Sequence, residues 1–159
     1  MSVNVRRFAC TPEEVFAALA DPWVFPTWVV GASRLRAADG HFPEPGSRLH
    51  HSIGIWPLVL NDETTIEVWD PPRRFQLEAK TRPVGTQRVV IDVQPRRSGC
   101  VVRMEEEAIT GVATRIPKPI ADPILWVRNR EALRRLEWVA RGISRQQSRG
   151  SERGGRPTE

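Results

Sequence analysis

The sequence predicts an α+β fold, in which a strongly curved sheet of seven antiparallel strands wraps around one long C-terminal helix. Seven segments have the composition of strands, and the last five follow one another from residue 48 with turn signals but no helix between them. A helical period of apolar residues appears only after Gly111. A helix lying across the concave face of such a sheet would bury the apolar side of every element at once.

The first 40 residues predict two strands with two short helices between them. A strand over 3–10 precedes a helix start in which Thr11 is the N-cap, Pro12 takes the first helical position and Glu14 closes a capping box. Pro22 ends this helix, and the aromatic segment "WVFPTWVVG" follows as a short, broken one. The next strand is predicted near 32–38.

Turn sequences separate the five remaining strands. "EPGS" at 44–47, "DPPRR" at 70–74 and "RRSG" at 96–99 are typical of tight turns. Pro57 and Val84–Gly85 mark the other two breaks. The predicted strands cover 48–56, 59–69, 74–82, 87–94 and 100–109.

The C-terminal helix has two possible starts. It begins at Asp122 with Pro123 in the first position, or near Pro117 with a kink at Pro123. One face of this helix is predicted to be buried, and it carries Leu125, Asn129, Leu133, Leu136, Ala140 and Ile143. The folded domain is predicted over 1–142, and residues 143–159 are expected to form a basic, disordered tail.

Composition and charge indicate a single globular domain and argue against a membrane-spanning or nucleic-acid-binding protein. The 159 residues include 40% hydrophobic residues, which is ordinary for a single globular domain, and no apolar run approaches the roughly 20 residues needed to cross a bilayer. The start "MSVNVRRFAC" has no signal-peptide hydrophobic region, so a cytoplasmic location is expected. The net charge of +5 is spread over several elements, which argues against a nucleic-acid partner. Cys10 and Cys100 are expected to be buried, reduced thiols.

Strand alternation places four polar residues on faces that are otherwise apolar. His51, Asp62 and Glu106 share the inward faces of their strands, and Asn129 lies on the buried stripe of the long helix. Polar groups converging on an interior need each other, water or a ligand. Each residue also has an explanation that needs no ligand. His51 could donate to a backbone carbonyl, Asp62 could be solvated near the start of its strand, and Glu106 could belong to a solvated run of glutamates.

These faces define the candidate site. His51, Asp62 and Glu106 are the candidate catalytic residues, because an imidazole paired with a carboxylate can move protons near neutral pH. No glycine-rich phosphate loop, metal-binding motif or nucleophile elbow is visible, so no metal and no cofactor are predicted. The candidate ligand-binding residues are Trp28, Ile53, Thr64, Ile66, Leu77, Met104, Leu125 and Asn129.

Several separate segments resemble one family in order. "TPEEVFAALADPWVFPTWVVG", "PEPGSRLHHSIG", "LNDETTIEVWDPPRRFQLEA", "MEEE" and "RNREALRRL" are similar to the polyketide cyclase/dehydrase-like branch of the StAR-related lipid-transfer superfamily, also called the birch-pollen-allergen-like or SRPBCC superfamily. The resemblance covers about residues 3–142 and implies the helix-grip fold. It also implies that the first and last strands pair antiparallel, which would bring Cys10 near Cys100.

The resemblance implies a hydrophobic or aromatic ligand, polyketide-, lipid- or quinone-like, held between sheet and helix. One alternative is a cyclase or dehydratase in which His51 acts with Asp62 or Glu106 while Asn129 orients a carbonyl. A second alternative is a partner-binding module without a ligand. No integral membrane segment is predicted, and the chain is expected to be a monomer or a homodimer.

Overall fold

The computed structural model describes residues 1–55, 58–81, 85–111, 114 and 117–154. Predicted strand ends at residues 56 and 82 lie outside these ranges. The elements follow in the order β1 (Ser2–Phe8), α1 (Pro12–Leu19), a 3-10 turn (Pro22–Val24), α2 (Phe25–Trp28), β2 (Ala32–Ala38), β3 (Arg48–Ile55), β4 (Leu58–Asp70), β5 (Arg74–Thr81), β6 (Gly85–Arg96), β7 (Gly99–Ala108) and α3 (Lys118–Gly154).

All seven strands form one antiparallel sheet, which confirms the predicted fold class. The strand order is β1-β7-β6-β5-β4-β3-β2, so each strand from β2 to β7 pairs with its neighbour in sequence. The first strand closes the sheet against the last, with Phe8 opposite Cys100 in the register. The sheet is curved, and α3 lies across it.

Helix α1 begins with the capping box that the sequence predicts. The backbone N–H of Glu14 donates to Oγ1 of Thr11 at 3.3 Å, and the Thr11 N–H donates to Oε2 of Glu14 at 2.8 Å. The helix buries Val15, Phe16 and Leu19. The Phe16 ring packs against Trp69 of β4 at 5.1 Å between centroids, which ties α1 to the sheet.

Helix α3 starts just after Pro117 and contains Pro123, so the earlier of the two predicted starts is correct. Its buried face includes Asn129, Leu133, Leu136 and Ala140. The helix continues past residue 142, where the domain was predicted to end, and reaches Gly154.

Glu137, which was not among the predicted functional residues, attaches α3 to β1. Its carboxylate is buried and accepts hydrogen bonds from Nε of Arg6 at 2.9 Å and from the Ala9 N–H at 3.1 Å. Because these two donors lie on and just after β1, the helix is fixed across that edge of the sheet. Among the helices of the described residues, none has the length and apolar character to cross a membrane.

Candidate functional site

A cavity of about 360 Å³ lies between the sheet and the first half of α3. Its volume is at the lower end of the range of about 300–1,000 Å³ that is typical of small-molecule sites. The short helix α2 and the segment after it close one side. Most of the lining is apolar and consists of Phe25, Trp28, Val29, Val30, Gly31, Ile53, Leu77, Ala79, Val89, Met104 and Ala132.

Six polar residues complete the lining: His51, Thr64, Gln87, Glu106, Arg128 and Asn129. Three of them carry a buried polar atom that has no hydrogen-bond partner among the described residues. These atoms are Nδ1 of His51, Oγ1 of Thr64 and Nδ2 of Asn129. A buried polar atom left unpaired costs about 1–3 kcal/mol, so finding three of them around one cavity calls for an explanation.

His51 and Asp62 face each other across two paired strands. They are directly opposite in the register of β3 and β4, and Nε2 of His51 lies 3.7 Å from Oδ2 of Asp62. Both side chains are almost completely buried. Burial lowers the pKa of His51 below its ordinary value of 6.5, because charging the ring in a dry site is costly, and the Asp62 carboxylate partly opposes this shift.

The imidazole is therefore neutral at neutral pH, and its proton is favoured on the nitrogen that faces the carboxylate. With the proton on Nε2, Nδ1 can accept a hydrogen bond; the Leu49 backbone carbonyl also bonds to the ring and raises its pKa. Asp62 also accepts a hydrogen bond from the Glu63 N–H at 2.8 Å, which helps to hold its carboxylate in place.

Two aromatic rings from α2 support the imidazole. The Phe25 ring contacts His51 edge-on at 5.3 Å between centroids, and it contacts Trp28 edge-on at 5.4 Å. Both aromatic residues are buried. They exclude water from one side of His51, which is consistent with the direction of its pKa shift.

Glu106 and Arg128 form an ion pair between β7 and α3. The Glu106 carboxylate is 2% exposed, whereas the Arg128 side chain is 35% exposed. The pair therefore joins a buried acid to a base that reaches the cavity's edge. Arg128 was not among the predicted site residues, although an inward carboxylate needs a nearby cation and Arg128 directly precedes Asn129.

Most of the predicted site residues lie around this one cavity. Those that line it are His51, Glu106, Trp28, Ile53, Thr64, Leu77, Met104 and Asn129. Asp62 lies behind His51 rather than on the wall. Ile66 belongs to the buried core, and Leu125 is half-buried on α3, so neither lines the cavity.

Of α2 and the residues after it, only Trp28 was predicted at the site. Phe25, Val29, Val30 and Gly31 close one side of the cavity. A run rich in Trp, Phe and Val was the available signal, but its broken period did not show which side chains face inward.

The described residues offer few side chains for metal binding or thiol chemistry. No cluster of three or more His, Cys, Asp or Glu side chains in the described part of the chain could hold a metal ion. Cys10 and Cys100 are free, buried and close enough to interact through their sulfurs. The hydrogen bond to Cys100 and burial both raise the pKa of the Cys10 thiol.

Comparison with known proteins shows similarity in structure only. No protein-family model and no curated protein sequence matches this chain. A di-domain aromatase/cyclase, StfQ from the steffimycin biosynthetic pathway, superposes with a TM-score of 0.70 at 12% identity, over 89% of this chain and 50% of that one.

Two other solved structures cover nearly the whole of both chains. A Staphylococcus aureus protein of unknown function gives a TM-score of 0.69 at 10% identity, over 90% of this chain and 94% of that one. A Rhodobacter sphaeroides protein gives a TM-score of 0.68 at 21% identity, over 89% of this chain and 91% of that one. Similarities at such low identity establish the fold alone, and that fold is the predicted helix-grip fold.

Proposed function

We propose that this protein binds a small, largely apolar molecule in the cavity between its sheet and α3. The observation that carries the proposal is the set of three buried, unpaired polar atoms on His51, Thr64 and Asn129 around a mostly apolar wall. A ligand that supplies their partners would recover the cost of leaving them unsatisfied.

The three atoms also indicate the chemistry of the ligand. Nδ1 of His51 accepts a hydrogen bond when the ring proton is on Nε2, Nδ2 of Asn129 donates one, and the Thr64 hydroxyl can do either. A ligand with both a hydroxyl and a carbonyl on an aromatic or polyketide-like skeleton would satisfy them. An anionic ligand fits less well, because the cationic lining residue Arg128 already pairs with Glu106.

The binding proposal is tested first on the protein as purified. Native mass spectrometry should detect either a co-purified molecule on the protein or an empty protein that binds an added hydroxylated anthraquinone. Thermal-shift measurements should then show that a hydroxylated anthraquinone stabilises the protein more than unsubstituted anthracene does, because binding to the folded state raises its stability. Absence of any bound molecule and of any thermal shift would contradict the proposal.

A matched pair of variants tests the role of the polar atoms. Thr64→Val removes the hydroxyl but keeps the shape, so the preference for the hydroxylated compound should fall about fivefold to tenfold. Thr65→Val is the control, because Thr65 lies on the opposite face of the same strand. Equal losses in the two variants would show that Thr64 does not contact the ligand.

A second candidate function rests on the His51–Asp62 pair. A neutral imidazole held against a buried carboxylate, at the wall of an apolar cavity, could act as a general base. It would take a proton from a carbon between two carbonyls, and the resulting enolate would attack another carbonyl of the same chain. His51 would then return the proton to the new alkoxide. This is cyclase chemistry, and the StfQ similarity favours testing it.

The enzyme proposal is tested with a poly-β-ketone thioester as substrate. If His51 is the base, His51→Ala should lower the rate of ring formation by about 10²–10⁴-fold, while His50→Ala should leave it unchanged. His50 is the matched control because it lies on the opposite face of β3 and is half-exposed. A protein that binds the substrate but gives no cyclised product above the buffer rate would restrict the function to binding.

A further inference from the structure

Half of the exposed large apolar residues in the described part of the chain lie on one element, α3. Ten large hydrophobic side chains are exposed in the part of the chain that the structure describes, and seven of them lie on α3 or at β1. Five of these seven are on α3: Ile120, Ile124, Trp126, Val127 and Trp138. A patch of this kind usually marks an interaction surface.

Four of these residues form one stripe along the helix. Ile120, Ile124, Val127 and Trp138 follow one another at intervals of four, three and eleven residues, which places them on one face of the helix, and each is between 58% and 65% exposed. We call this stripe the outer face of α3. It lies opposite the buried face that carries Asn129, and it spans about 27 Å of helix.

The net charge of the chain is not spread over several elements, as predicted, but is concentrated on α3, which carries the outer face. Residues 118–154 contain nine Lys or Arg and four Asp or Glu, a net charge of +5, which equals the net charge of all 159 residues. The remainder of the chain is therefore balanced. Any partner of α3 meets a locally cationic helix.

Two tryptophans on α3 carry arginines over their rings. The Arg130 guanidinium lies 5.4 Å from the centroid of Trp126, and that of Arg134 lies 5.0 Å from the centroid of Trp138. Trp beside Arg is a combination suited to a boundary between an apolar phase and water, because the ring sits at the boundary and the cation reaches phosphates.

We propose that the outer face of α3 docks on an anionic membrane surface, with the helix axis parallel to it. Its Ile, Val and Trp side chains enter the headgroup region, and the surrounding arginines contact lipid phosphates. The proposal goes beyond ligand binding and does not depend on it. A second copy of the chain is the poorer occupant, since a two-fold contact through this face would set the two cationic helices against each other.

The test is co-sedimentation with vesicles of phosphatidylcholine that contain or lack phosphatidylglycerol. The full chain should bind the anionic vesicles, bind the neutral ones at least tenfold more weakly, and dissociate as salt is added. Ile124→Ser with Val127→Ser should lower binding to the anionic vesicles by tenfold or more. The matched control is Leu60→Ser with Ile109→Ser, which removes two exposed apolar residues away from α3 and should leave binding unchanged.

A second variant keeps the test decisive if the first one fails to fold. Arg141→Gln with Arg145→Gln changes only exposed residues of α3, and it should weaken binding about tenfold and flatten the salt dependence. Equal binding to both kinds of vesicle, or to none, would overturn the proposal. So would self-association in analytical ultracentrifugation that the I124S/V127S variant abolishes, or binding to single-stranded RNA in place of vesicles.

Discussion

Nε2 of His51 lies 3.7 Å from Oδ2 of Asp62, and the two side chains are 2% and 0% exposed. A histidine and an acid on adjacent strands are common at a sheet surface, but here the pair is dry. The desolvation of the ring outweighs the attraction to the carboxylate, so the folded protein holds His51 neutral. This one relationship determines the pH behaviour of the site.

We expect the stability of the protein to fall below about pH 6.5. The pKa of His51 is lowered in the folded state, so between that value and 6.5 the unfolded chain binds a proton that the folded chain does not. The free energy of unfolding then decreases with falling pH, by at most about 1.4 kcal/mol per unit. Urea unfolding at several pH values should show this slope, and His51→Gln should reduce it. His50→Gln is the control and should keep the slope. If the slope is as steep in H51Q as in the wild type, the pH dependence comes from another group.

Replacing Asp62 should move the titration of His51 in a known direction. The Asp62 carboxylate raises the pKa of His51, in opposition to burial. In Asp62→Asn the pKa of His51 should therefore be lower than in the wild type. An NMR titration of the ring protons measures it directly, and a higher pKa in D62N would show that the two side chains do not interact as the structure has them.

The Glu106–Arg128 pair should respond asymmetrically to mutation. Arg128→Gln leaves a carboxylate that is 2% exposed without its cation, whereas Glu106→Gln leaves a guanidinium that is 35% exposed and can reach water. R128Q should therefore destabilise the protein by about 3 kcal/mol, and E106Q by clearly less. Denaturant unfolding of both variants checks the order, and equal effects would mean that Glu106 is solvated.

Two glycine substitutions should change the stability of the protein in opposite directions. Gly99 has a φ of +100°, and a Cβ there would lie 2.1 Å from the Phe8 carbonyl oxygen, so Gly99→Ala should disrupt the pairing of β1 with β7 and cost more than 2 kcal/mol. A Cβ at Gly142 would meet nothing within 4 Å, so Gly142→Ala should stabilise α3 by about 1 kcal/mol. Thermal melting of the two variants measures both, and a stable G99A would contradict the register at that end of the sheet.

The two thiols should be unreactive in the folded protein. Cys10 and Cys100 are 4% and 1% exposed, so a reagent does not reach either sulfur. The pKa of Cys10 is raised, which makes its thiolate scarce, whereas their hydrogen bond lowers the pKa of Cys100, so Cys100 is protected by burial alone. A chromogenic disulfide reagent should label neither in the native state and both after unfolding in guanidinium chloride. Rapid labelling of the native protein would show that the end of β1 opens readily.

Local sequence patterns determined most of the fold. Thr11, Pro12 and Glu14 predict the start of α1 because capping involves only neighbouring residues. Two-residue alternation placed His51, Thr64 and Glu106 on inward faces because successive strand residues must point to opposite sides. Turn sequences separated the strands, and short connections left antiparallel pairing as the simple solution.

Only the tertiary structure decided which inward residues meet. Alternation along a strand shows which face of the sheet a residue is on, but not where along that face the cavity lies. It therefore could not distinguish Ile66, which lies in the core, from Thr64, which lines the cavity. It gave no partner for Glu106, because Arg128 comes from a helix 22 residues later. The sequence also left open whether α3 begins before Pro123, and the structure places its start at Lys118. Contacts between distant segments depend on how the elements pack, and that information is not local in the chain.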